Sequence, residues 1–208
     1  MRSRNGFILG IAVIALTATL ANAAGLPTSG IQTQTSTITR TGASSTETRK
    51  LYWSGDRSRT ESYTTDGEQV QIQNGRTMYL FAIGSKEAIK ENLPANIPSI
   101  REQFLQVAKE KAPGKKIGTG TVAGFKCDIY KESKGKLIVT RFVSTDPRFP
   151  LPIKSVTDVG VVHQEITTTS LQLNARIADS MFSLPKGMKA KEIKAPAQGK
   201  PSQAPGKR

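Results

Sequence analysis

Apolar and polar side chains alternate through most of this chain with the period of a half-buried β-strand, and one stretch breaks the pattern. Residues 98–111, PSIREQFLQVAKEK, set Ile100, Phe104, Val107 and Ala108 on one stripe at helical spacing and keep Arg101, Glu102, Gln106, Lys109 and Glu110 on other faces. Ser99 followed by Glu102 has capping-box spacing and Pro113-Gly114 stops the run, so the pattern predicts a single long amphipathic helix here. One apolar stripe needs an apolar surface to lie on, and the flanking strands supply it.

About ten strands are predicted around that helix. Residues 31–40 are rich in Thr and Gln with few apolar side chains, which reads as an edge or exposed strand. Leu51 and Trp53 then alternate with Lys50 and Tyr52, residues 57–64 form the next strand, and Asp66-Gly67 and Asn74-Gly75 are hairpin signals on either side of Val70 and Ile72. Residues 77–83 are apolar on both sides and are expected to be covered on both. Residues 86–91 read as a short turn of helix. Beyond the long helix, strands are predicted at 117–122, 125–131 and 137–144. A proline-rich loop follows at 145–152, then a hairpin of 153–158 and 161–173 around Gly160, and a short closing segment at 182–184. The fold class is therefore mainly β: a strongly curved antiparallel sheet, or half-open barrel, with the helix inserted as a lid, over one domain spanning 24–184.

The two ends differ from this body. Arg2 and Arg4, an apolar run over 7–20 and Ala21-Asn22-Ala23 have the form of a signal peptide over residues 1–23, cleaved after Ala23. That predicts a soluble protein of the periplasm or the secreted fraction of a bacterial cell envelope. Residues 185–208 combine Pro and Gly with seven basic residues and one acid, a composition that predicts a disordered tail. Such a tail either holds the protein near an anionic envelope surface or merely keeps it in solution.

Charge and candidate chemistry narrow the classes. The formal net charge is +14, and without Arg2 and Arg4 the 28 remaining basic residues face 16 acids, a balance of +12. This favours an anionic surface as partner; no nucleic-acid recognition motif is present, so nucleic acid is not an expected partner. Cys127, the sole cysteine, cannot form an intramolecular disulfide and reads as a buried small hydrophobe. His163, the sole histidine, sits in an alternating strand segment, and no close-spaced metal-ligand set occurs. Neither catalysis, nor a metal, nor a cofactor is expected. A twisted sheet crossed by one helix can instead leave a cavity wide enough for an acyl chain, lined by Trp53, Tyr79, Phe81, Ile100, Phe104, Ile129 and Phe142, unless these side chains simply fill a core.

Four segments carry a family resemblance: Val122-Ala123-Gly124-Phe125-Lys126-Cys127-Asp128-Ile129-Tyr130; Arg141-Phe142-Val143-Ser144; Pro150-Leu151-Pro152-Ile153-Lys154; and Asp179-Ser180-Met181-Phe182-Ser183-Leu184-Pro185-Lys186-Gly187. In this order, across about residues 31–190, the chain resembles the exported LolA-like superfamily of lipoprotein-sorting carriers, envelope-stress sensor domains and secreted relatives of unknown function. The resemblance implies a half-open barrel with a helical lid that binds a lipid, acyl chain or other hydrophobic ligand, without catalysis or metal. The basic balance and tail depart from the carrier pattern, and the secreted relatives are the nearest match. The leading expectation is a monomeric exported binding protein for such a ligand, a candidate for lipid or lipoprotein trafficking; the alternative is an envelope interaction or sensing module that binds a protein partner or anionic surface without a small ligand.

Overall fold

Hairpin after hairpin, the alternating segments pair with their chain neighbours, and the result is one large sheet. The computed structural model describes residues 26–192 except 111 and 113. Its strands are β1 (Ser29–Arg40), β2 (Ala43–Ser54), β3 (Arg57–Thr64), β4 (Gly67–Asn74), β5 (Thr77–Ala82), β6 (Glu87–Asn92), β7 (Lys115–Val122), β8 (Phe125–Lys134), β9 (Leu137–Ser144), β10 (Pro152–Val159), β11 (Val162–Leu173) and β12 (Lys189–Glu192). They lie in the order β12-β6-β5-β4-β3-β2-β1-β11-β10-β9-β8-β7, antiparallel throughout except for the parallel pair of β12 with β6. The sheet ends on β12 and β7 and does not close into a barrel, yet β7 approaches β11 across the strands between them, as a strong curl requires.

Three local expectations are corrected. Residues 31–40 are not an edge: β1 is central, paired with β2 on one side and β11 on the other. Its polar side chains find partners there, with Gln32 Nε2 donating to Thr168 Oγ1 at 2.9 Å and the Thr37 and Thr46 hydroxyls 3.2 Å apart, so Thr-rich sequence suits a paired interior strand as well as an exposed one. Residues 86–91 form strand β6, because a helix of a single turn is costly to nucleate while β5 offers a complete ladder and Ala88 packs at 2% exposure. Residues 189–192, expected to be disordered, add β12 along β6, supported by Lys191 on Glu87 at 2.6 Å and Asn92 donating to Glu192 at 2.7 Å. Residues 77–83 are covered unevenly: Phe81 is buried, Met78 to Leu80 are half-buried, and Ala82 and Ile83 are exposed. The predicted signal peptide and the remainder of the tail, 193–208, lie outside the described residues.

The helix, α1 (Ile100–Lys109), begins where its cap was predicted. The Glu102 backbone N–H donates to Ser99 Oγ at 3.3 Å, and the Ser99 backbone N–H donates to Glu102 Oε2 at 2.7 Å. Ser99 Oγ also donates to Asp56 at 3.2 Å, which ties the start of the helix to the β2–β3 turn. Ser99→Ala is expected to cost about 1 kcal/mol of stability, read as a lowered urea midpoint; an unchanged midpoint would mean that the cap contributes nothing here.

Two apolar clusters hold the sheet on opposite faces of β2, where successive side chains alternate. One is built on Trp53 with Ala108, Val122, Cys127, Phe149, Leu151 and Ile153. The other is built on Tyr52 with Val70, Ile72, Phe81, Ala88 and Phe182. Phe182 reaches it from a 3₁₀ turn, Asp179–Phe182, pinned by Arg57, whose guanidinium binds Asp179 at 2.9 Å and lies 4.8 Å from the Phe182 ring centre.

Candidate functional site

Trp53 is the pivot of the helix side. It faces Gly30 across the β1–β2 ladder, and a Cβ at Gly30 would run into the indole ring and come within 2.8 Å of the Gln172 carbonyl. Only glycine therefore lets the ring lie flat across β1. Above it, Phe104 of α1 meets the indole edge-on at 5.3 Å and 82°, while Phe149 stacks on it at 6.2 Å and 27°; Phe104 and Phe149 meet each other at 5.8 Å. Phe149 is delivered by the proline-rich loop, which folds on itself: the Phe149 N–H donates to the Asp146 carbonyl at 2.9 Å, and Arg148 clasps the Asp146 carboxylate at 2.7 Å.

The centre of this arrangement is dry and its surroundings are not. Trp53 and Phe149 are each 1% exposed and Ala108 is fully buried, whereas Leu51, Ile100, Phe104, Val107, Leu171 and Leu173 pack against them only half-buried. Helix and sheet thus present apolar surface beyond what their mutual contact covers. The opposite, solvent side of α1 forms an open depression of about 370 Å³ whose lining mixes Ala95, Pro98 and Leu105 with Asn96, Glu102, Gln106 and Lys109, a mixed, solvent-open setting.

The seven residues expected to line a cavity do not all meet. Trp53, Ile100, Phe104 and Phe142 join the Trp53 cluster. Tyr79 and Phe81 belong to the Tyr52 cluster on the other face of β2. Ile129 stands opposite Phe142 in the β8–β9 ladder. Phe149 and Gly30 were not singled out by sequence. An aromatic in a Pro-Arg-Phe-Pro loop has no period to place it, and a glycine inside a strand was the available hint of a close approach at residue 30.

Titratable groups serve structure. Cys127 is buried, its thiol donates to the Phe125 carbonyl at 3.3 Å, and burial pushes its pKa up, which suits an inert side chain. His163 Nδ1 lies 2.7 Å from Asp158 on the exposed β10–β11 hairpin. Three carboxyls sit below the ordinary range: Glu165 through its hydrogen bond from Lys154, Asp146 through Arg148, and Glu102 through the Ser99 backbone N–H. A carboxyl with a depressed folded-state pKa stabilises fully above its unfolded value, near pH 4, and loses that contribution as pH falls through the folded value. The urea midpoint is accordingly expected to hold from neutral pH to about pH 5 and to drop below about pH 4. A midpoint flat down to about pH 2.5 would contradict these assignments.

No protein-family model matches the chain, and no curated protein matches it. Solved structures similar to it include an uncharacterized conserved protein from Thermus thermophilus, at 8% identity and TM-score 0.49 over 82% of this chain and 93% of that one. MucB in the Pseudomonas aeruginosa MucA/MucB complex is similar at 15% identity and TM-score 0.44, over 76% of this chain; the chain spans only 56% of that one. A LolA superfamily protein from Nitrosomonas europaea is similar at 10% identity and TM-score 0.39, over 75% of this chain and 90% of that one.

Proposed function

We propose that this chain is an exported, non-catalytic binding protein that holds a lipid, an acyl chain or another apolar ligand between its curved sheet and α1. The observation that carries the reading is the half-buried ring of Leu51, Ile100, Phe104, Val107 and Leu171 around a dry Trp53–Phe149 centre. Apart from the Ser99–Asp56 hydrogen bond at its start, the helix is held on the sheet by packing, so its C-terminal end can rise, and the apolar surface it then uncovers is continuous with side chains already partly open to solvent. Affinity comes from buried apolar area, at about 25 cal/mol per Å² before the costs of ordering. The signal-peptide pattern and the family resemblance support an envelope location. Native mass spectrometry of mature protein purified gently from the exported fraction tests the reading: a stoichiometric adduct that extracts as lipid is the expected result.

A second reading, an interaction module whose interior is only core, draws on the close packing of the three aromatic rings at 5.3–6.2 Å. A clean apo mass that persists after incubation with envelope lipids would favour it over the first.

A further inference from the structure

Away from Trp53, at the opposite ends of the same strands, the sheet carries apolar side chains that its core does not use. Three turns meet there, joining β1 to β2, β8 to β9 and β10 to β11. The register aligns Arg40 with Val162, Val162 with Val159, Val159 with Leu137 and Leu137 with Lys134, so these five side chains form one row on one face across β1, β11, β10, β9 and β8. With neighbouring strands about 4.8 Å apart, the row is roughly 19 Å long. Its middle is apolar and its two ends are cationic.

The row is partly open to solvent: Arg40, Val159 and Lys134 are exposed, Val162 and Leu137 half-buried. Val159 is 45% exposed, Val161 at the adjoining turn is 70% exposed, and Ile38 in the next row inward is 37% exposed. A buried core needs none of this, and exposed β-branched side chains gathered at one place call for a partner. Arg40, Lys134 and, in the β8–β9 turn, Lys136 are exposed and have no ion pair among the described residues. Of the nearby acids, Glu132 pairs with Arg141 at 3.3 Å, and Asp158 lies 2.7 Å from His163, which offsets its charge only when the imidazole is protonated; three cations thus stand against at most one free carboxylate. The tip therefore offers uncompensated positive charge on both sides of an apolar strip, on a chain whose formal charge is +14.

We propose that this tip docks the protein on an anionic lipid bilayer, with Val159, Val161 and Ile38 entering the headgroup boundary and Arg40, Lys134 and Lys136 lying among the anionic headgroups. Apolar insertion alone is weak at this size and charge alone gives no depth; the combination gives reversible attachment that weakens with salt. Docking in this way is separate from ligand binding at Trp53. Trp53 lies ten residues along β2 from Ala43 at the tip, roughly 33 Å in extended chain, so the helix side stays clear of the membrane.

The test uses the mature protein, residues 24–208, and sedimentation with vesicles of phosphatidylglycerol and phosphatidylcholine in equal parts, set against phosphatidylcholine alone. Binding to the anionic vesicles only is expected. Val161→Asp is expected to weaken it about tenfold, and each of Arg40→Gln, Lys134→Gln and Lys136→Gln roughly fivefold; unfolding midpoints should match the parent because all four sites are exposed. Val161→Trp adds an emission that should shift to the blue with anionic vesicles, while the parent's Trp53 emission stays unchanged. Equal binding to neutral vesicles, no binding to either, variants that bind like the parent, or an unshifted Val161→Trp emission would each overturn the proposal. Retained anionic binding in all four variants would leave the basic residues beyond the sheet as the contact, and a tip that binds no vesicle would be a surface for a protein partner instead. Each of these outcomes leaves the ligand reading at Trp53 untouched.

Discussion

Replacing Trp53 by alanine is expected to destabilise the fold by about 3–5 kcal/mol, the range for a large aromatic removed from a core that cannot collapse around the gap. Here the gap cannot close easily. Phe104 and Phe149 reach the indole from a helix and a loop, and β1 lies flat beneath it at Gly30. The urea midpoint measures the loss; a fall smaller than about 1 kcal/mol would mean that helix and loop close the space and that Trp53 is not the pivot. Gly30→Ala probes the same packing from below, since its methyl group lands in the ring. Because removal of the indole also removes that clash, the double variant Gly30→Ala/Trp53→Ala should lose clearly less than the sum of the two single losses.

The second large effect is expected at Glu61, which is 9% exposed in the middle of the other face. Its carboxylate accepts from Arg59 Nε at 2.8 Å, from the Tyr63 hydroxyl at 3.0 Å and from the Tyr52 hydroxyl at 3.4 Å. Glu61→Ala strands a largely buried guanidinium and two phenols, so a loss of about 3 kcal/mol is expected. Glu61→Gln keeps the size and an acceptor and should lose less. If both variants unfold at the parent's midpoint, the network is replaced by water at no cost and the account of this face is wrong.

Strong local signals were legible in the sequence. Ser99 with Glu102 located the helix start to the residue, because the capping box is chemistry that acts over three positions. Asp66-Gly67 and Asn74-Gly75 located their hairpins to within one residue: the loops are Thr65-Asp66 and Gly75-Arg76, and Gly75 takes a φ of +59° that other residues resist. What failed was tertiary. The strand or helix fate of 87–92 depends on β5 and β12 lying beside it, and nothing within the segment itself announces that. The edge reading of 31–40 failed because a Thr ladder satisfied on both sides looks, in sequence, like one facing water. For the site, Trp53, Ile100 and Phe104 were found through size and helical spacing, whereas Phe149 came from a loop without periodicity. Tyr79 and Phe81 were chosen on the same criteria of size and apolarity, but parity along the strands carries them to the other cluster.

The central claim is that an apolar ligand lies against Trp53 beneath α1, and Trp53 is the only tryptophan in the chain. The most direct measurement titrates the mature protein with a fatty acid brominated along its chain, kept below its micellar concentration, while the tryptophan emission is followed. Saturable, near-equimolar quenching is expected, and Phe104→Glu should abolish it while the unfolding midpoint still shows a folded chain. Undiminished emission throughout the titration, with no fatty acid retained on the protein at equilibrium dialysis, would contradict it.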